Sequence, residues 1–246
     1  MLSKSAFPFC DYGGLEKFVY YLGKHLVEEG ADVEIVTSSS RSAVKKVNNI
    51  EYRFISPLVS QTHINFPRLV KLGYLFFLYN LFNVAAARYL SKKKFDLLHS
   101  YERTSERYLH FKKRRQTIVQ SFNNEICKFE GFEKILVYPA VQQLRYCMIH
   151  CDTIASEGQF QVEEIVKLFG VDRKKIIIIP VGIDLDLVGE NLEKNTVLRK
   201  EIGLSDNDFV LISVNRLSHV KGINYLLDAF SVVKRQIENA KLLLIG

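Results

Sequence analysis

Phe209-Val210-Leu211-Ile212-Ser213-Val214-Asn215-Arg216-Leu217-Ser218-His219-Val220-Lys221-Gly222-Ile223-Asn224-Tyr225-Leu226-Leu227-Asp228-Ala229-Phe230 changes periodicity part-way along its length. Its opening, Phe209 to Val214, is aliphatic and β-branched apart from one serine, which is the composition of a strand. From Ile223 onward, Ile223, Leu226, Leu227, Phe230 and Val233 recur at helical spacing. The loop between carries two cations, Arg216 and Lys221. Strand, short loop and helix in this order form the unit from which parallel α/β sheets are built. Such sheets bind ligands at the carboxyl ends of their strands, and Arg216 follows one of those ends. Lys221 is expected to open the helix, where a lysine is disfavoured unless an anion offsets it. The loop therefore marks a place where an anion would meet a guanidinium, an ammonium and the N–H groups of a helix start.

Working outward, the same rhythm fills the chain. Leu15, Phe18, Val19, Leu22 and Leu26 form a helical stripe closed by Gly30, and Val33 to Thr37 reads as the next strand. Strands are expected at Glu51 to Ile55, Phe95 to His99, Thr117 to Val119, Asp152 to Ala155 and Lys175 to Ile179. A long apolar helix spans about Arg68 to Lys94, and another covers Glu157 to Phe169. The polar stretch Asp184 to Asp208 reads as a domain boundary, giving a first Rossmann-like domain over 1–187 and the first β-α-β unit of a second over 188–246. The fold class is α/β with parallel sheets. Both ends read as cut: Met1-Leu2 offers only two apolar residues for a first strand, and Gly246 follows the strand Leu242 to Ile245 directly.

With 246 residues, 48% hydrophobic and 25% charged, the chain has the balance of a globular protein with a core. The net charge of +7 admits an anionic partner, but no zinc-finger spacing or RRM-type basic-aromatic strand accompanies it, so no nucleic acid is expected. Ser3-Lys4 follow Met1-Leu2 with no apolar run, so no secretory signal is read, and a cytoplasmic location is expected. The four cysteines, Cys10, Cys127, Cys147 and Cys151, then read as reduced thiols. Cys147, His150 and Cys151 lack a fourth ligand, so they read as helix packing, and no metal or cofactor is expected.

Gly13-Gly14 precede the first helix, where glycines let a ligand approach the backbone and N–H groups lie free. A tight turn explains two glycines equally well. Ser100 to Arg107 is a polar cluster following a strand; Glu102 and Arg103 are candidates to hold an acceptor sugar, or form a local ion-pair cluster.

Three blocks together resemble the large retaining family 4 group of GT-B glycosyltransferases. They are Gly13-Gly14 with Glu16, Ile178-Ile179-Pro180-Val181-Gly182-Ile183-Asp184, and Arg216-Leu217 followed by Lys221-Gly222 and Leu226 to Phe230. The resemblance implies two Rossmann-like domains facing each other, the first holding a glycan or lipid-linked acceptor and the second a nucleotide-diphosphate sugar. It implies transfer with retention and without a bound metal. Arg216 and Lys221 would match the pair that grips the donor diphosphate, and Gly13 and Gly14 the loop approaching the donor from the opposite domain. Asn215 stands where the family often has glycine, and Val181 where it has an amide. Many members carry a histidine after the strand matching Thr117 to Val119; here the stretch is Gln120-Ser121-Phe122-Asn123-Asn124, with Asn123 the candidate sugar contact. The family's acidic pair would fall beyond Gly246, so this chain alone is expected to show little or no turnover. The alternative is a non-catalytic remnant or partner subunit that binds a glycan, lipid or protein. A dinucleotide oxidoreductase is set aside for want of G-x-G-x-x-G after the first strand.

The helix over Leu72 to Ala87 is apolar nearly all round, with Arg68 and Lys71 before it and Arg88 and Lys92 to Lys94 after. It is too short to span a bilayer. Two readings stay open: a helix buried in the first domain, or a surface helix docked peripherally on the anionic inner face of a membrane.

Overall fold

The computed structural model describes residues 1–9, 13–56, 68–111, 116–122, 127, 131–183, 185, 196–217 and 221–246. They form two compact units, Met1–Ile183 and Asp184–Gly246.

The first unit is built on one twisted sheet. Its strands are β1 (Glu34–Ser38), β2 (Ala43–Val47), β3 (Ile50–Ile55), β4 (Leu97–Tyr101), β5 (Thr117–Ser121), β6 (Thr153–Ser156) and β7 (Ile176–Ile178). They lie in two runs, β1-β3-β2 and β4-β5-β6-β7, parallel throughout except that β2 runs antiparallel to β3. Leu2 joins the runs, bridging Val36 of β1 on one side and Ser100 of β4 on the other. Its N–H donates to the His99 carbonyl at 2.8 Å, and its carbonyl accepts from the Tyr101 N–H at 3.1 Å. Leu2 is fully buried and spends both its backbone bonds on β4, while its neighbours bond β1: the Ser3 N–H donates to the Val36 carbonyl at 3.1 Å and the Val36 N–H to the Met1 carbonyl at 2.9 Å.

Alternation along the strands sends neighbours to opposite faces. Val36 and Leu98 enter one core, with Phe82, Ala86, Leu144, Met148, Ile154 and Ile165. Ile35 and Tyr101 enter a second core, with Val19, Ile50, Tyr52 and Phe54. Helix α1 (Gly14–Glu28) packs Val19 and Tyr20 on that second side. Helices α2 (Arg68–Leu90), α4 (Gly131–His150) and α5 (Gln159–Phe169) supply the first core, and the short α3 (Glu106–Phe111) packs against α2 and α4.

Helix α2 buries Leu78, Tyr79, Phe82, Asn83, Ala86, Ala87 and Leu90 at helical spacing, so one face of it is packed in the core. Among the described residues no helix is long and apolar enough to cross a membrane. Cys147 and Cys151 are buried, and burial pushes the Cys147 thiol up to about 12, so it behaves as a small packed apolar group. Among the described residues no group of side chains is assembled that would hold a metal.

The second unit contains α6 (Thr196–Glu201), β8 (Phe209–Val214), α7 (Ile223–Gln236) and β9 (Ala240–Ile245). β8 and β9 pair in parallel, Phe209 opposite Ala240 and Val214 opposite Ile245. One helix between two strands leaves apolar side chains uncovered: Ile212, Val214 and Tyr225 are 61%, 72% and 76% exposed.

Candidate functional site

In the second unit the ladder continues one residue past β8, with the Asn215 N–H donating to the Ile245 carbonyl at 2.9 Å. The chain then leaves the sheet, and Arg216 and Leu217 are exposed. Ser218, His219 and Val220 lie outside the described residues; Lys221 beyond them is exposed. Arg216 and Lys221 therefore flank one loop between the carboxyl end of β8 and the start of α7. Lys221 does not open the helix, contrary to the expectation from sequence. Gly222 intervenes as the cap, at φ 69, and α7 begins at Ile223. A left-handed residue cannot continue a right-handed helical path, and glycine occupies that region without a Cβ clash. The first turn of α7 has no acidic residue, and no side chain among the described residues caps it, so its N–H groups and positive dipole end are not offset from within the helix.

Two backbones approach closely here. A Cβ on Gly246 would lie 2.3 Å from the Asn215 carbonyl oxygen, so only glycine fits beside the loop that follows β8. The Asn215 amide is turned back onto Ser213 Oγ at 2.7 Å. Its Oδ1 is buried with no hydrogen-bond partner among the described residues.

In the first unit, Gly13 is the cap of α1 with extended backbone, φ 167, and Gly14 begins the helix. Neither position demands glycine for its dihedral angles. Their value is space: among the described residues a Cβ on Gly14 would touch nothing within 4 Å, and one on Gly13 only Glu16 Oε2 at 3.5 Å. Glu16 sits in the first turn and accepts the Ser5 hydroxyl at 2.7 Å. That carboxylate offsets the dipole at this helix start and repels a phosphate, while it accepts a hydroxyl hydrogen readily.

Glu102 and Arg103 come together on one aromatic ring. The Tyr79 hydroxyl donates to Glu102 Oε2 at 2.7 Å, and the Arg103 guanidinium lies 3.8 Å from the Tyr79 ring centroid. Among the described residues no ion pair joins Glu102 to Arg103; the tyrosine serves both. Glu102 holds a left-handed backbone, φ 56, and Gln120 Nε2 donates to its carbonyl at 2.6 Å. Arg103 is buried, Asn83 Nδ2 donates to its carbonyl at 3.1 Å, and its Nε has no hydrogen-bond partner among the described residues. Burial drives the Tyr79 phenol well above its ordinary value, with the Glu102 charge adding to the rise, so the ring stays neutral and donates. Asn123 lies outside the described residues.

Sequence reasoning missed Tyr79, which stands mid-helix 23 residues from its partner. It also missed the group at the ends of β4 and β5. The stretch after β5 has no histidine of its own, yet β4 supplies one, with His99 Nε2 lying 2.8 Å from Ser121 Oγ. The parallel register, Tyr101 opposite Ser121, brings them together, and a single strand read alone gives no sign of it.

Residues 12–187 match the family described as Glycosyltransferase Family 4, and residues 194–246 match Glycosyl transferases group 1. A D-inositol 3-phosphate glycosyltransferase of Xylanimonas cellulosilytica is 26% identical over 90 residues, 35% of this chain and 22% of that relative. Sucrose-phosphate synthase of Thermosynechococcus elongatus superposes with a TM-score of 0.73 at 19% identity, covering 100% of this chain and 61% of that one. The HepE protein of Anabaena, solved with UDP and glucose, superposes with a TM-score of 0.58 at 17% identity, covering 99% of this chain and 59% of that one. The chain thus spans less than two thirds of each of these proteins. At such identities the superpositions speak for the fold, the α/β architecture of GT-B glycosyltransferases. Because the first family match covers more than half of its length, this chain belongs to Glycosyltransferase Family 4.

Proposed function

We infer that the chain serves sugar transfer from a nucleotide-diphosphate sugar to a glycan or lipid-linked acceptor, with retention at the anomeric carbon. The observation carrying this reading is the loop flanked by Arg216 and Lys221, set against a helix whose first turn holds no acidic residue. When the bond between anomeric carbon and diphosphate oxygen breaks, its electrons remain on the diphosphate. A guanidinium, an ammonium and backbone N–H groups fixed beforehand stabilise that charge without reorganising, which is the role a metal ion plays in other transferases. That HepE was solved with UDP and glucose supports a nucleotide sugar as the donor here.

The acceptor belongs to the first unit, at Glu102 and Arg103 around Tyr79, with Asn123 as a further contact, while Gly13 and Gly14 beside Glu16 keep the donor-side role that the family resemblance implies. Carboxylates next to open backbone suit hydroxyl groups. A lipid-linked acceptor, met at the cytoplasmic face of a membrane, is supported by exposed Phe77 of α2 and by exposed Phe132, Ile135 and Tyr138 of α4.

Titration of the full chain with UDP-glucose, GDP-mannose and ADP-glucose tests the donor reading. Arg216→Ala and Lys221→Ala are each expected to weaken the preferred donor about tenfold or more, with unchanged circular dichroism. Higher salt should weaken binding to the unaltered chain as well. Affinities identical in both variants, or no binding of any of the three donors, would refute it.

A further inference from the structure

The carboxyl ends of β4 and β5 carry a group of polar side chains that donor binding does not use. His99 and Tyr101 alternate onto one face of β4, and the register places Val119 and Ser121 beside them on β5. The His99 and Tyr101 rings stack at 4.5 Å between centroids and 23° between planes. His99 Nδ1 is 3.3 Å from the Tyr101 hydroxyl, and Nε2 is 2.8 Å from Ser121 Oγ. Tyr101 is buried at 1% exposure, whereas His99 and Ser121 are partly open and Ser121 is the last residue of its strand.

The direction of these hydrogen bonds follows from what each group has to give. Burial raises the Tyr101 phenol, so it keeps its hydrogen, and among the described residues His99 Nδ1 is the acceptor it reaches. Leaving a buried hydroxyl without an acceptor is costly, so Nδ1 accepts. Burial, aided by the positive Met1 amino group, lowers His99 to about 4, and the ring is neutral at neutral pH. A neutral imidazole that accepts at Nδ1 carries its hydrogen on Nε2 and donates it to Ser121 Oγ. The serine oxygen is thereby occupied as an acceptor. Its own hydrogen has no acceptor among the described residues.

We propose that Ser121 is a specificity-determining donor to a neutral saccharide oxygen, hydroxyl or ring, bound at the carboxyl edge of β5. Tyr101 and His99 are positioning residues behind it: one hydrogen passes from phenol to imidazole and the next from imidazole to serine, leaving the serine hydrogen for the ligand. No member of this chain of donors is charged, so nothing in it calls for an anion, and a neutral sugar oxygen suits it. The opposite polarity, serine giving its hydrogen to the ring, would make Ser121 an acceptor, and the buried phenol opposes it. The proposal rests on the sugar-transfer reading above.

The test has two arms, both on the full chain labelled with 15N-histidine. In long-range proton–nitrogen spectra at neutral pH, His99 is expected as the Nε2–H tautomer, and Tyr101→Phe is expected to shift its population toward Nδ1–H. Glucose, galactose and mannose are then titrated, and at least one is expected to move the His99 signals. Ser121→Ala should weaken that sugar about fivefold, while Ser121→Thr, which keeps the hydroxyl, restores the affinity. An Nδ1–H tautomer in the unaltered chain, no response to any of the three sugars, or equal affinities in the chain and in Ser121→Ala overturns the proposal. Donor titration of the Arg216 and Lys221 variants reads the sugar-transfer reading separately, through the other unit, so a failure of Ser121 alone is told apart from a failure of that reading.

Discussion

Lowering the pH from about 7 to about 5 should destabilise the first unit through His99, and the size of the effect follows from its surroundings. The folded ring titrates at about 4 against an ordinary value of 6.5, chiefly because burial disfavours the imidazolium. Between those two values the unfolded chain binds a proton that the folded chain refuses, so stability rises with pH across that window and falls on acidification. Carrying the linkage from about pH 7 to about pH 5 gives a loss of about 2 kcal/mol. The ring is partly open to water, which makes this an upper bound. The Met1 amino group, lowered to about 6 by burial, titrates nearby, so the comparison must be made against a variant that retains it. His99→Gln does so, and it offers a donor and an acceptor without a titrating ring. The assay is urea unfolding followed by tyrosine fluorescence: the chain has no tryptophan, and of its 12 tyrosines only Tyr225 lies outside the first unit. The chain should lose about 1 to 2 kcal/mol more than His99→Gln over this pH interval. Equal losses in the two proteins would mean that the imidazole is as free to protonate folded as unfolded, and would refute the reasoning.

Glu34 offers a prediction in a lower pH range. Burial alone would raise its carboxyl, but hydrogen bonds from Tyr89, Lys93 and Arg53 outweigh burial and hold it below the ordinary carboxylate value. Its contribution is present above the unfolded value near 4.5 and is lost as pH falls through the folded one. Glu34→Gln should cost about 1 kcal/mol at neutral pH and reduce the acid sensitivity below about pH 4.5, read by the same unfolding assay. Leu2→Ala should cost about 3 kcal/mol, because a fully buried side chain would leave a cavity that the strands on either side cannot close. A cost below ~1 kcal/mol in urea unfolding would show that β1 and β4 relax onto the alanine.

The strands legible in the sequence were those with consecutive aliphatic or β-branched side chains. β1, with Ile35, Val36 and Thr37 all buried, and β5 and β6, each read from a short β-branched run, announce themselves by composition. β2 does not: Ala43 to Lys46 are exposed, and the strand exists because it pairs antiparallel with β3. Helix α4 was legible only near Cys147 and His150, since Pro139 stands in its interior and exposed Phe132, Ile135 and Tyr138 blur any polar face. The start of α7 was misplaced by two residues because the left-handed conformation of Gly222 is a backbone property that its neighbours do not spell out. For the candidate site, charge was visible and register was not. Glu102, Arg103, Arg216 and Lys221 could be picked out as ions in loops, whereas Tyr79 meets Glu102 across 23 positions and His99 meets Ser121 across 22.

The pairing of residues 1–4 has a mechanical consequence for the sheet. Backbone bonds tie Met1 and Ser3 to Val36, Lys4 to Ser38, and Leu2 to His99 and Tyr101, and through these few residues β1 and β4 become neighbours. The larger sheet therefore has a seam at its centre, where β-sheets are usually strongest, closed by one narrow ribbon of chain. Partial opening that peels this ribbon away would part β1-β3-β2 from β4-β5-β6-β7 with each half's own pairing intact, so the halves are natural units of local unfolding.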